Sequence, residues 1–409
     1  MQGSPLIFAV SSSSMGDAMT ATAIYATRIL APQEEYSDCV MTVEGGRISG
    51  IGHRDEVHIP PGAADYLASG LTVIPGFVDV HIHGAGGRDV TEATPEALDK
   101  ITSTVARFGT TSMVATTVTA PVDATCKSLE GIAKYIRAQK PAGERDRFAA
   151  EILGIHLEGP FIAHARRGVH PPESIAPPSI PVFKRLFEAA DGLVKMITVA
   201  PEIPGAIDLI HAATAEGIVV GLGHTDATFE QARAAIDAGA RHGVHVYNAM
   251  RPFNHRDPGV IAAILTDSEV TAEIIADGVH VSTPALQVLL GTKGFDTVIA
   301  ISDGISATGM PDGKYRLGEF EVNVSKGVAR SAEGNLAGST LTLDRALRNL
   351  VSIGVPFVDA VRMATILPAR RLGLAGKKGI IVVGADADLV LLTPEMKLAG
   401  IMTCGVGLS

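Results

Sequence analysis

The feature that most restricts the fold is a series of eight apolar, β-type runs, at about 73–83, 111–117, 152–158, 194–200, 218–224, 243–247, 271–277 and 297–303, each followed by a candidate helix. Eight strand–helix units in roughly 300 residues is the count of an α/β chain folded as a (β/α)8 barrel. What ends each run adds more than the count. The first closes on His81 and His83, the third on Glu158, the fifth on His224, the sixth on His245, the seventh on Asp277 with His280 just beyond, and the eighth on Asp303. In such barrels the C-terminal strand ends form one rim, so six ends deliver ligand-type side chains to one place.

The first of these ends is the most pointed. His81 and His83 stand at i and i+2, a spacing that puts both imidazoles on one face of a strand. Neutral imidazole is the commonest protein ligand for zinc and similar metals. Gly84-Ala85-Gly86-Gly87 follows and lets the backbone turn sharply. Glu158 ends an apolar strand, where a carboxylate needs a counter-charge to offset its desolvation, and a metal would supply one. His156, on the same face, reads as a buried, hydrogen-bonded histidine. His224 and His245 each have glycine close by, whereas His242 suits a structural place. Asp303 is the natural general base or acid, its plain alternative being an N-cap for the next segment.

Outside the eight units the chain turns β-rich. Thr22–Ala26, Cys39–Val43 and Arg47–Gly52 read as short strands, and Gly379–Gly384, Ala387–Leu392 and a stretch near Ile401 match them at the other end. The expected organisation is a small β-sandwich built from residues 19–72 and 375–409, a barrel over 73–374, and a loose leader at 1–18. Pro5–Val10 is apolar but short and lacks a basic flank, so a signal peptide is not expected, and no window approaches the ~18 apolar residues of a membrane span. Hydrophobic residues make up 46% and charged residues 19%, enough for a large core, and the net charge of −10 argues against nucleic-acid or anionic-membrane partners. Cys39, Cys126 and Cys404 are odd in number and far apart, as expected of reduced core thiols in a cytoplasmic protein. With no Trp and 4% aromatics, a polysaccharide groove built on ring stacking is disfavoured, and a small charged substrate fits better. Between Met310 and Ala329, turn and strand signals read as a β-hairpin insert covering the site.

Taken together, Pro75–Asp79, His156–Phe161, Ala200–Glu202, Gly223–Thr225, His245–Met250, Ile275–His280, Ser302–Gly304 and Leu336–Leu341 resemble, in order and spacing, the amidohydrolase superfamily and within it the amino-sugar 6-phosphate deacetylases. The likeness covers nearly the whole chain from about residue 20. It implies a barrel with a small β-sandwich and a divalent metal (Zn, Fe, Mn or Co) on Glu158, His224 and His245. Glu158 would replace the carboxylated lysine of dihydroorotase-like relatives. A second metal among His81, His83, Glu158 and Asp303 is compatible with the retained histidine pair. The resemblance also implies that Asp303 moves the proton, that His170 polarises the carbonyl or binds the sugar, and that Asn248, the Ala249 backbone, Arg256 and His280 contact sugar and phosphate. His170, on a Pro-rich loop, reads alone as an exposed histidine, and Arg251 and His255 have weaker claims. Arg256 would reach across a homodimer interface. The implied reaction is hydrolysis of N-acetyl-D-glucosamine 6-phosphate to D-glucosamine 6-phosphate and acetate. Alternatives are the galactosamine epimer, another N-acyl amidohydrolase, or a non-catalytic scaffold, which would lack ligands that are all present here.

Overall fold

In the computed structural model, which describes residues 21–31 and 34–408, each of the eight apolar runs overlaps a strand, the sixth only at Gly243. Numbered within the barrel they are β1 (Phe77–Ile82), β2 (Thr110–Thr117), β3 (Glu151–Glu158), β4 (Val194–Val199), β5 (Val219–Leu222), β6 (His242–Gly243), β7 (Thr271–Ile275) and β8 (Val298–Ile301). They are hydrogen-bonded in chain order, every pair parallel. The ring shuts where the Asp303 N–H donates to the His81 carbonyl at 2.9 Å and the His83 N–H to the Gly304 carbonyl at 2.8 Å. β1 and β8 therefore meet at residues already singled out as site candidates.

A helix follows every strand: α1 (Pro95–Ala106), α2 (Val122–Ala138), α3 (Ile180–Ala189), α4 (Ala206–Ala215), α5 (Phe229–Asp237), α6 (Gly259–Thr266), α7 (Thr283–Lys293) and α8 (Leu343–Ser352). Their starts carry the expected signals, such as the Thr228 and Gln231 capping box of α5 and the Thr94 cap with Pro95 at the first position of α1. In α8, Leu343, Ala346, Leu347 and Leu350 form one buried stripe at helical spacing. Among the described residues no helix is long and apolar enough to cross a membrane.

The expected first run, 73–83, is two strands. Ala64–Pro75 belongs to a separate seven-stranded sheet with Thr22–Leu30, Glu35–Glu44, Arg47–His53, Leu389–Leu392, Leu398–Thr403 and Val406–Gly407. Gly76 is the joint. Its N–H donates to Asp388 O in that sheet at 2.8 Å, the next N–H donates to Gly109 O beside the barrel at 2.9 Å, and a Cβ on Gly76 would run into the Thr111 side chain. The seven strands come from both chain ends and carry their own apolar cluster, including Ile24, Met41, Val73, Leu389 and Met402. The length of Ala64–Pro75 was masked by Gly70, whose φ of 74° marks an irregular register against Thr22–Leu30.

Gly379–Gly384, expected as a strand, is not one. Its two glycines have φ of 65° and 91°, and between them Ile381 turns into the small core while the Gly384 N–H reaches Ile48 O at 2.8 Å. The segment 1–18, with Pro5–Val10, lies outside the described residues. The insert beside the rim has three strands, Gly313–Leu317, Phe320–Ser325 and Val328–Arg330, whose Leu317, Val322 and Ala329 pack with Val118 and Ile305 past the ends of β2 and β8. All three cysteines are buried and unpaired.

One buried cation ties barrel to sheet. Lys378 Nζ lies 2.7 Å from Glu151 at the start of β3, 2.7 Å from Asp388 and 3.0 Å from Asp386. Burial opposes its charge, but the surrounding carboxylates hold its pKa well above the usual lysine value. Removing this ammonium leaves buried carboxylates without their partner. Lys378→Met is therefore expected to lower unfolding free energy by about 3–5 kcal/mol, read by denaturant titration; a loss below about 1 kcal/mol would contradict the latch.

Candidate metal centre

The barrel presents its candidate ligands through strained turns. His224, His245 and Asp303 each stand two residues past a strand end with φ of 48°, 30° and 50°, a region non-glycine residues seldom adopt. Such outliers persist only where surrounding structure holds them, and they gather at sites. Here the holders are visible. The Thr225 N–H donates to Ala249 O at 3.0 Å, and the Ser339 N–H donates to Asp303 O at 2.7 Å, which gives the Leu336–Leu341 motif its place behind Asp303. Glu202, from Ala200–Glu202, accepts from the Thr225 hydroxyl and the Asp226 N–H at 2.6 Å each, fixing the loop after His224.

The turns converge on Glu158. Its Oε1 lies 2.9 Å from His245 Nε2, 3.2 Å from His224 Nε2 and 3.4 Å from His81 Nε2, while Oε2 lies 3.2 Å from His83 Nε2 and 3.7 Å from His170 Nε2. Asp303 Oδ1 stands 3.3 Å from His83 Nε2 and 3.6 Å from His81 Nε2. All seven side chains are buried. Three ligand triplets follow, His81 with Glu158 and His245, His81 with His83 and Asp303, and Glu158 with His170 and His224, each with atoms within 4.8 Å of one another.

Whether these atoms suit a cation is decided at the far side of each ring. His224 Nδ1 faces Arg166 O at 2.9 Å, His83 Nδ1 faces Thr116 O at 3.2 Å, and His81 Nδ1 faces the Glu273 carboxylate at 3.0 Å. Each partner can only accept, so each Nδ1 carries the hydrogen and each neutral ring aims an Nε2 lone pair at a carboxylate. Lone pairs facing carboxylates repel unless positive charge stands between them, and among the described residues His81 Nε2 has no hydrogen-bond partner. The set fits a divalent cation. His170 is built the other way: its Nδ1 accepts the Thr119 N–H at 3.2 Å, which leaves the hydrogen on Nε2 and makes it a donor into the same space.

Without a cation, protons on the Nε2 atoms of His81 and His83 supply the positive charge instead. Burial opposes the charge on His81, but Glu158 and Glu273 override it and hold its pKa well above the usual imidazole range. The same contest, with Asp303 and Glu158 as partners, raises His83 to about 9. Glu158 and Asp303 sit below the usual carboxylate range despite their burial, because imidazoles surround them. Burial and the neighbouring His224 push His170 well below the imidazole range, consistent with a neutral donor. His156, buried against His81, falls to about 3 and bonds the Thr198 hydroxyl at 2.9 Å, a neutral structural histidine. His242 spans Thr271 and Glu273 at 2.6 and 2.7 Å.

Other expected site residues lie elsewhere. Asp277 accepts from the Val279 and His280 N–H groups at 2.8 Å each and from His280 Nδ1 at 2.7 Å, so it organises its own loop and joins none of the ligand triplets. Asn248 Nδ2 donates to His245 O at 3.2 Å, and Ala249 adopts a φ of 49°. Arg256 is exposed and its side chain has no partner among the described residues, whereas Arg251 is tied to Asp257 and Asp226. Sequence reasoning passed over Glu273. The signal was there as a lone carboxylate inside the apolar strand Thr271–Ile275, fully buried.

The model of the amidohydrolase family matches residues 72–406. This chain belongs to the amidohydrolase family. The N-acetylglucosamine-6-phosphate deacetylase of Vibrio furnissii is 39% identical over 379 residues, covering 91% of each chain. An N-acetylgalactosamine-6-phosphate deacetylase of Escherichia coli O157:H7 is 40% identical over 319 residues, 78% of this chain and 82% of that protein. Among solved structures, a mutant N-acetyl-D-glucosamine-6-phosphate deacetylase of Mycobacterium smegmatis, in complex with N-acetyl-D-glucosamine-6-phosphate, superposes with a TM-score of 0.86 at 37% identity, covering 95% of this chain and 99% of that one.

This amidohydrolase is expected to release protons when it takes up metal. Without a cation His83 keeps its proton up to about pH 9, and His81 is raised in the same direction. A cation on their Nε2 atoms must expel those protons at pH 7, so affinity rises with pH towards about 9. Calorimetry of Zn2+ binding in two buffers of different ionisation enthalpy measures the release; heats independent of buffer would count against ligation by this pair.

Proposed function

We propose that this amidohydrolase hydrolyses the acetamide of N-acetyl-D-glucosamine 6-phosphate, giving D-glucosamine 6-phosphate and acetate, with one divalent metal (Zn, Fe, Mn or Co) on Glu158, His224 and His245 and room for a second at His81 and His83. The observation that carries this reading is the ring of Nε2 atoms around Glu158 with Asp303 and His170 on its edge. The deacetylase relatives add the substrate class.

A divalent cation seated there lowers the pKa of an adjacent water towards ~7 and polarises an amide oxygen. The remaining work falls to side chains. Asp303, ionised and held by its backbone bonds to His81 and Ser339, accepts the proton of the attacking water and delivers it to the departing nitrogen as the C–N bond breaks. His170, neutral with its hydrogen on Nε2, donates to the carbonyl oxygen as charge develops there.

For the phosphosugar, Arg256 is the available guanidinium, since the charge of Arg251 is already taken by Asp257. Asn248 and the Ala249 N–H supply neutral donors near the rim, and His280, its Nδ1 held by Asp277, offers its Nε2 to a sugar hydroxyl. The exposed Arg256 loop suits a homodimer in which this arginine approaches the partner's site. Three buried, unpaired thiols suit the cytoplasm. The galactosamine epimer is the second reading, because a relative of that specificity is as similar as the glucosamine enzymes. Turnover of the two 6-phosphates side by side, with and without chelator, tests both; no acetate release from either would end the proposal.

Asp303→Asn is expected to keep metal on Glu158, His224 and His245 while turnover falls at least ~10²-fold, measured as acetate release beside elemental analysis. Arg256→Ala should raise KM for the 6-phosphate about tenfold or more and leave an unphosphorylated acetamide little changed. Equal losses on both substrates would rule out the phosphate role.

A further inference from the structure

Glu273 is more than a buried charge with one partner. It stands in the middle of β7 between Ala272 and Ile274, fully buried. Its Oε1 takes His242 Nε2 at 2.7 Å, a pairing between neighbouring strands that would suffice for a structural role. Its Oε2 does something else: it accepts from His81 Nδ1 at 3.0 Å and from the His245 N–H at 3.0 Å. β1 and β7 are not neighbours, so the bond to His81 crosses the barrel interior. One oxygen thus holds two of the three histidines whose Nε2 atoms face Glu158 Oε1, His81 by its ring and His245 by its backbone.

We propose that Glu273 is a positioning residue for the metal centre: it fixes the ring and tautomer of His81, strengthens its Nε2 as a donor, and pins the turn that carries His245. The inference rests on the metal reading of the preceding section. The physical reason is that an imidazole whose N–H is held by a carboxylate is a more basic and less mobile ligand than one held by water, and loss of such a partner typically costs ~10–100-fold in metal affinity. His81 is the ligand most exposed to this effect, since among the described residues its Nε2 has no hydrogen-bond partner and its ring is anchored through Nδ1 by Glu273.

Glu273→Gln tests it with little change of shape. The amide oxygen can still accept from His81 and His245, but the negative charge is gone. Metal-free protein is titrated with Co2+ by equilibrium dialysis and by visible absorption, with His81→Asn marking which Co2+ equivalent depends on His81. The expected result is that Glu273→Gln weakens that same equivalent ~10–100-fold and alters its spectrum, that Glu273→Asp recovers part of the affinity, and that His242→Gln, which leaves the His81 bond intact, does not weaken it. Thermal melts of the metal-free variants check that each folds, and Glu273→Asp carries the comparison if the amide does not. Unchanged Co2+ affinity in Glu273→Gln, or an equal loss in His242→Gln, would overturn the proposal and leave a structural hub. A wild-type protein that takes up no Co2+ would instead overturn the metal reading itself.

Discussion

The rest of this structure depends on one unfavourable arrangement: imidazole lone pairs and two carboxylates aimed at a common, water-poor space around Glu158. In a buried site such crowding is costly unless a cation or protons intervene, and the penalty is larger where the local dielectric is low. Everything near it serves to keep the groups from turning away. Carbonyls of Thr116 and Arg166 and the carboxylate of Glu273 hold the Nδ1 hydrogens, so rings that would otherwise flip to relieve the repulsion cannot.

The barrel supplies the rigidity this needs. β1 and β8 close the ring at His81, His83, Asp303 and Gly304, so the seam and the site are the same residues. A loosening of the seam would separate Asp303 from His83. The Leu336–Leu341 segment braces the outside of that seam through Ser339, and the three-stranded insert packs on Ile305 beside it. The small sheet acts at the opposite end of the strands. Gly76 hands the chain directly from sheet to β1, and Lys378 ties Glu151 at the start of β3 to Asp386 and Asp388.

Much of this was legible along the chain, and the errors have local causes. Apolar runs, helix caps and the residues that end each run are short-range properties, so the eight units and the rim residues followed from the sequence. The joint at Gly76 did not, because an apolar stretch looks alike on both sides of a glycine whose importance is the Thr111 side chain packed against it. Gly379–Gly384 read as a strand because its apolar residues are β-branched, yet two left-handed glycines turn it. Asp277 looked like a ligand by position and proved to be a loop organiser.

What the sequence alone determined is the inventory: which strand ends carry imidazoles and carboxylates, and that the chain has enough apolar periodicity to bring those ends to one rim. Which nitrogen of each ring faces inward, that His170 is a donor while His224 is an acceptor, and that Glu273 reaches His81 across the barrel were settled only by the tertiary structure. The reason is physical. A tautomer is set by the partner at the far side of the ring, and those partners, Thr119, Arg166 and Glu273, lie tens to hundreds of residues away along the chain and come within hydrogen-bonding distance only when the cylinder closes.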